Sequence, residues 1–433
     1  MICSNLTVSE NGELLFAGQN VCTLAEKYGT PLYLMDEERI RYNCRMYVNA
    51  FKESFPEGSL PIYAGKACSF CGIYKIIAEE GMGTDVVSTG EIYTAAKAGF
   101  DMSRAHFHGS VKMDEDIRFA MDNKVGFFMV DNKEELIAVE KEAVLCNIEQ
   151  KIYLRVTPGI DPHTYEKIST GKVDSKFGAA IETGQAEEFF KAAAAQPHLK
   201  LVGLHCHVGS MVFYEDVYER TADIMLRFIA HLKNTYGCEI EYLNLGGGYG
   251  VRYVDEDPIV DIPARIAFLA AHMKETCTSL GIDMPKINME PGRSIVADAG
   301  LTVYKVGSVK KIPEYKNYVA IDGGMGDNPR YALYEAKYTC LAANKMNENA
   351  DMPCALVGRY CESGDIISPS TFMPQSISRG DYVAVCTTGA YNYSMAFNYN
   401  RVCRPPIIML KNGESYIAVK RETFADITAN DVL

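Results

Sequence analysis

The stretch 201–248, LVGLHCHVGSMVFYEDVYERTADIMLRFIAHLKNTYGCEIEYLNLGGG, decides the fold. It opens on a β-rich run (201–208), passes through a segment of helical composition (214–236) and closes on a second β-rich run (242–248). Strand, helix and strand in that order is the crossover unit from which parallel sheets are built. The same alternation extends outward in both directions. β-rich runs fall at 61–64, 83–88, 106–110, 126–131, 151–158 and 287–292, and segments rich in Ala, Glu, Lys and Leu, such as 90–99 and 132–146, lie between them. Strand and helix alternating eight times is the arithmetic of a (β/α)8 barrel. A doubly wound open sheet shares this periodicity and stays open as the competing topology.

After about residue 296 the pattern changes. LTVYKVGSVKKI (301–312), YVAIDGG (318–324), PCALVG (353–358) and DYVAVCTTGAY (381–391) are β-branched and aromatic runs punctuated by Gly, Pro and Asp. They predict a second, mostly antiparallel β domain. GELLFAG (12–18) and PLYLMD (31–36) also read as strands and are expected to join it. By length alone 433 residues suggest three domains, but a barrel takes about 250 residues as one unit. Two domains are therefore expected, a barrel over 36–295 and a β domain formed by 1–35 and 296–433. The loop 157–178, TPGIDPHTYEKISTGKVDSKFG, is longer than a barrel connection needs and implies a use beyond linkage.

Composition narrows the function class. With 43 Lys and Arg against 56 Asp and Glu the net charge is −13, which gives no general attraction to nucleic acid or anionic lipid. No apolar run approaches the ~20 residues of a membrane span. The opening MICSNLTVSE has no basic region followed by an apolar core, so no secretory signal is read. Fourteen cysteines are scattered rather than framed, and free thiols in a reducing cytoplasm are expected.

Barrel enzymes place their chemistry at the C-terminal ends of the strands. Lys66 ends the first run, in PIYAGKACSF. A lysine there is either a nucleophile toward a carbonyl or an ordinary strand-end lysine reaching solvent. His205 and His207 alternate in GLHCHVGS, so on a strand both imidazoles face one side. A metal pair, a ring stacked on an aromatic ligand and two satisfied core histidines are all open, but no carboxylate or third histidine stands at matching spacing, and no metal is expected. Gly209 and Ser210 follow as donors to an anion. Three glycines in LNLGGGYG allow backbone N–H groups to approach a phosphate, although a bare tight turn would also explain them. In NMEPGRS, Glu290 can partner a protonated ring nitrogen and Arg293 can clamp an anion; an internal salt bridge is the alternative. A carbonyl for Lys66, an aromatic ring for a histidine, a ring nitrogen for Glu290 and a phosphate for the glycines together describe pyridoxal 5′-phosphate (PLP).

These residues carry a resemblance. YAGKA, DVVSTGE, GLHCHVGS, NLGGGYG, EPGRS, DGGMGDNPRYALY, CESGD and GAYNYSMAFNYN occur in the order found in the fold-type III PLP-dependent decarboxylases, from about residue 20 to about residue 425. The chain resembles that family. The resemblance implies that Lys66 attaches PLP covalently and His207 stacks on its ring. Glu290 would hold the ring nitrogen, while Ser210, Gly247, Gly248 and Gly292 surround the phosphate. Arg293, Arg330 and Tyr334 would grip a substrate carboxylate, Tyr391 would approach the cofactor, and Asp85, Glu91 and Arg155 would line its pocket. Cys361 and Glu362 would reach across a homodimer into the partner's site, Cys361 as a proton-handling group and Glu362 reading a distal amine.

The implied activity is decarboxylation of meso-2,6-diaminopimelate to L-lysine. The sister activities on ornithine, arginine or carboxynorspermidine are the alternatives, followed by a non-catalytic PLP-binding homologue. Gly65, Met211 and Thr157 depart from the family's usual residues without removing a catalytic group.

Overall fold

The computed structural model describes residues 1–161, 175–214 and 216–432. They form two compact units, one comprising Asn43–Gly250 and Val260–Gly292, the other Met1–Tyr42, Val251–Ile259 and Arg293–Leu433. These limits differ from the expected 36–295. The first division lies inside the helix Glu37–Ser54, where no composition change marks it, and 251–259 joins the β unit.

The barrel unit contains β1 (Leu60–Ala64), β2 (Gly83–Val86), β3 (Ala105–Phe107), β4 (Phe127–Val130), β5 (Gln150–Thr157), β6 (Leu199–His205), β7 (Tyr242–Asn244) and β8 (Lys286–Met289). Each pairs in parallel with its neighbours in chain order. β8 returns to β1 through Asn288 opposite Leu60 and Met289 opposite Pro61, which closes the barrel and excludes the open sheet. Several strands end earlier than expected: 206–208, 245–248 and 290–292 are the beginnings of loops at the C-terminal mouth.

The helices Thr89–Lys97, Lys133–Cys146 and Asp216–Tyr236 occupy the expected positions. Ser88 Oγ accepts from Glu91 N at 3.2 Å and Asn132 Oδ1 from Glu135 N at 2.9 Å, satisfying donors that the first helical turn leaves unpaired. Side chains fill the barrel interior. Buried Tyr153 on β5 reaches across to donate to Asn288 Oδ1 on β8 at 2.9 Å, and a Cβ at Gly203 would lie 2.4 Å from its ring, which explains a glycine in mid-strand.

In the β unit the long strand Gly300–Ile312 organises the sheet. Its first half lies between Leu32–Asp36 and Tyr382–Cys386, both antiparallel to it, and its second half pairs with Lys316–Ile321. Leu32–Asp36 is flanked on its other side by Ile407–Lys411, in parallel. The period of two seen in sequence sorts Leu32 and Leu34, Leu301 and Val303, and Ile408 and Leu410 into one buried cluster. The pairings are mostly antiparallel, as expected. Of the long loop expected over 157–178, residues 162–174 lie outside the described residues. Among the described residues no helix is long and apolar enough to cross a membrane.

Candidate active site

Lys66 follows β1 in a 3-10 turn, Gly65–Ala67, at the barrel's C-terminal mouth. The residue is exposed, and its charge acts on buried Asp85 and on His207. Asp85, at the end of β2, accepts from Gly65 N at 2.8 Å and so fixes the lysine's turn. Burial pushes the Asp85 carboxyl well above the usual carboxylate range, with Lys66 pulling the other way. Gly65 itself is explained by geometry: a Cβ there would lie 2.7 Å from Tyr74 Oη and 2.8 Å from Asp85 O.

β6 ends at His205, so the alternation rule stops there and the two histidines separate. His207 stands beside the glycine turn, where a Cβ on Gly246 would lie 2.8 Å from its Nδ1. Desolvation, reinforced by the charges of Lys66 and Arg155, holds its imidazole well below the usual range. His205 instead lies 3.3 Å through Nε2 from Glu290 Oε2. The third histidine that sequence spacing did not supply comes from another strand end: His108 Nε2 lies 2.8 Å from Glu290 Oε1. Asn244, ending β7, donates its amide to Oε1 at 2.8 Å.

These partners engage both Glu290 oxygens within the barrel unit. Burial acts to raise the Glu290 pKa, but His108 and His205 outweigh it and hold the carboxyl well below the carboxylate range. Burial in turn pushes His108 down to about 4, against the upward pull of the Glu290 charge. The ligand atoms of His108, His205 and Glu290 lie within 4.8 Å of one another, a spacing a metal ion also accepts. The amide of Asn244 on the same carboxylate makes the cluster a hydrogen-bonded anion.

The glycine turn is built to admit backbone and nothing larger. A Cβ on Gly247 would lie 2.0 Å from Glu290 O, and one on Gly248 2.3 Å from Gly209 O. Among the described residues the N–H groups of Gly247 and Gly248 have no acceptor. A cradle that excludes Cβ, two free backbone donors and an ionised buried carboxylate fit the phosphate and ring nitrogen of PLP. Gly292 is equally restricted, with a Cβ only 2.7 Å from that of Ala64. Arg155 lies over Phe177 at 4.2 Å and 3.9 Å from Asp131 Oδ1, and Glu91 accepts from Val87 N at 2.8 Å.

The β unit carries its own cluster. Buried Arg293 donates to Tyr253 Oη at 2.8 Å and lies 4.7 Å from the Tyr391 ring. Buried Arg330 donates to Tyr338 Oη at 2.6 Å and lies 4.7 Å from the Tyr253 ring. No carboxylate among the described residues pairs with Arg330. Tyr391 holds a φ of +61°, a conformation that costs a non-glycine residue energy and that concentrates at functional sites. Tyr334 ends the short helix Arg330–Tyr334 and is half-buried. Cys361 and Glu362 are exposed, and the loop bearing them is tied by Cys361 N donating to Asn400 Oδ1 at 2.9 Å.

Residues 41–297 match the family described as pyridoxal-dependent decarboxylase, pyridoxal binding domain. The diaminopimelate decarboxylase of Staphylococcus aureus (strain COL) is 44% identical over 423 residues, covering 98% of each chain. That of Bacillus subtilis (strain 168) is 40% identical, covering 98% of this chain and 96% of its own. The chain belongs to the pyridoxal-dependent decarboxylase family, in its diaminopimelate decarboxylase branch. A crystal structure of a diaminopimelate decarboxylase from M. jannaschii, in co-complex with L-lysine, matches with a TM-score of 0.91 at 33% identity, covering 100% of this chain and 99% of that one.

Membership in this family makes PLP the cofactor. Within the barrel unit the structure gathers Lys66, Asp85, His207 and Glu290, and adds His108 and Asn244, which the sequence pattern did not single out. Within the β unit it gathers Arg293, Arg330 and Tyr391, and adds Tyr253 and Tyr338. The only signal for the histidine was its place inside the β-rich run 106–110; the tyrosines had none.

Proposed function

We propose that this chain decarboxylates meso-diaminopimelate to L-lysine as the last step of lysine biosynthesis. The observation that favours this substrate over a mono-carboxylate amine is Arg330. A buried guanidinium set among tyrosines keeps its charge available for a carboxylate. A diamino diacid retains one carboxylate after losing the other, whereas ornithine and arginine do not.

PLP, when bound, supplies the ring into which the electron pair left by departing carbon dioxide delocalises. Lys66 Nζ would attach the cofactor. Glu290 holds the proton on the ring nitrogen, His207 covers one ring face, and Ser210, Gly247, Gly248 and Gly292 hold the phosphate. Asp85 fixes the Lys66 turn through Gly65 N. Arg293, Arg330 and Tyr334 bind the retained carboxylate and Tyr391 approaches the cofactor. The Cys361 thiol delivers a proton to the carbon that has lost its carboxylate, and Glu362 reads the distal amine.

Exposure of Cys361 and Glu362 supports a homodimer in which each chain lends this loop to the other's site. Fourteen free thiols support a cytoplasmic location. The test is carbon dioxide and lysine release from meso-diaminopimelate by purified, PLP-loaded protein, with ornithine and arginine as comparison substrates. Turnover of either comparison substrate in preference to diaminopimelate, or release from none, overturns the reading.

A further inference from the structure

The Glu290 carboxylate is held more firmly than a simple ring-nitrogen partner requires. Oε1 meets both His108 Nε2 and Asn244 Nδ2 at 2.8 Å, and Oε2 meets His205 Nε2 at 3.3 Å. Each of these groups is itself fixed. Asn244 Oδ1 accepts from Gly246 N at 2.9 Å, coupling the carboxylate to the glycine turn. The His108 and His205 rings meet edge to face, with centroids 4.9 Å apart and planes at 74°.

His108 sits on the loop leaving β3, and that loop is clamped from below. Lys112, four residues on, donates to Gly109 O at 2.8 Å, to Met129 O at the end of β4 at 2.9 Å and to Glu135 Oε1 at 2.6 Å. Three acceptors for one buried ammonium satisfy it and tie the segment that follows His108 to Met129 and Glu135. A buried carboxylate without such close polar partners takes up a proton, and a protonated acid cannot hold a pyridinium proton.

We propose that His108 and His205 are positioning residues that fix the Glu290 carboxylate in charge and orientation, and thereby make the site discriminate for a cofactor ring bearing a protonated nitrogen. The proposal deepens the reading above and rests on it for the cofactor's role. It makes a distinction that a merely structural pair of histidines would not. If they only shape the pocket, replacing them weakens every ligand of that shape alike. If they act through Glu290, the loss is confined to ligands that have the nitrogen.

The experiment uses cofactor-free full-length protein titrated with PLP and with its 1-deaza analogue, in which CH replaces the ring nitrogen, followed by absorbance. The wild type is expected to prefer PLP by at least tenfold. His108→Ala and His205→Ala are expected to bring that preference to within about twofold, while affinity for the analogue stays within about threefold of wild type. His108→Gln, which restores an N–H donor at similar reach, is expected to recover the preference, and it serves as the folding control together with circular dichroism. A parallel fall in affinity for both ligands, an unchanged preference in the alanine variants, or no preference in the wild type overturns the proposal. Carbon dioxide release is measured separately. A wild type that discriminates between the ligands but releases no carbon dioxide from diaminopimelate refutes the substrate reading and leaves this inference standing.

Discussion

Lys112 Nζ lies 2.6 Å from Glu135 Oε1, with both side chains withdrawn from solvent. Desolvating the two charges costs free energy that only their mutual attraction and the surrounding hydrogen bonds offset. Removing one partner strands the other. Lys112→Met should lower stability by about 3–5 kcal/mol, whereas the double variant Lys112→Met with Glu135→Leu should recover much of the loss. Urea unfolding of both variants checks this; a single variant as stable as wild type would show that the pair carries no such coupling.

The Gly246–Gly248 turn yields a second prediction. A Cβ on Gly247 would meet backbone, the Glu290 carbonyl at 2.0 Å, which cannot swing aside as a side chain could. Gly247→Ala is expected to weaken PLP binding at least tenfold with unchanged circular dichroism. Gly237, at a φ of +65° with nothing within 4 Å, is the control. There, alanine should cost about 1 kcal/mol of stability through backbone strain alone and leave PLP affinity unchanged. Equal effects at the two positions would separate the turn from cofactor binding.

Shared active sites are tested by complementation. Lys66→Ala should remove cofactor attachment, and Cys361→Ala should cut turnover while sparing the cofactor's visible absorbance. An equal mixture of the two inactive variants should regain up to about one quarter of wild-type activity per chain, since half the dimers are mixed under random exchange and one of the two sites in each mixed dimer is intact. Verified heterodimers without activity would place Cys361 outside the partner's site.

Asp327 gives a pH prediction. Burial pushes its carboxyl up to about 7, against the hydrogen bonds it accepts from Tyr304 Oη and Gly324 N. An unfolded aspartate titrates near about 3.9, so between pH 4 and 7 the native chain holds a proton that the unfolded chain lacks. Its contribution therefore falls as pH rises through that window and levels off above it. His106 and His108, pushed down by burial to about 3 and about 4, tilt stability the opposite way below about pH 6.5. Subtracting Asp327→Asn from wild type removes that shared slope. The stability difference, measured by urea unfolding at pH 5, 6, 7 and 8, should decline toward pH 7; a flat difference would show that Asp327 does not titrate there.

The barrel was legible because its strands are apolar runs separated by helices of ordinary length, and Lys66, His207 and Glu290 because each closes such a run. His108 was not, since β3 has three residues and the loop HGSVK has no periodicity to read. The split between His205 and His207 was invisible because strand alternation says nothing about where the strand stops. Gly65 read as a departure from the family and is a fit: Tyr74 Oη and the Asp85 carbonyl occupy the space a Cβ would need. Tyr253 lies 40 residues from Arg293 and Tyr338 follows Arg330 by eight with no regular period linking them, so only the fold of the β unit brings them together.

Leu32–Asp36 sits between Gly300–Ile312 and Ile407–Lys411, and that placement orders the protein's birth. A ribosome adding roughly 5–20 residues per second releases this strand on the order of tens of seconds before either neighbour exists. All the barrel strands are synthesised in the interval. The barrel can therefore close first, while an apolar strand waits with both edges open to any other nascent chain. The interval between translating Leu32–Asp36 and Ile407–Lys411 is thus when this polypeptide is most exposed to misassembly, and slow translation of the last hundred residues would lengthen it.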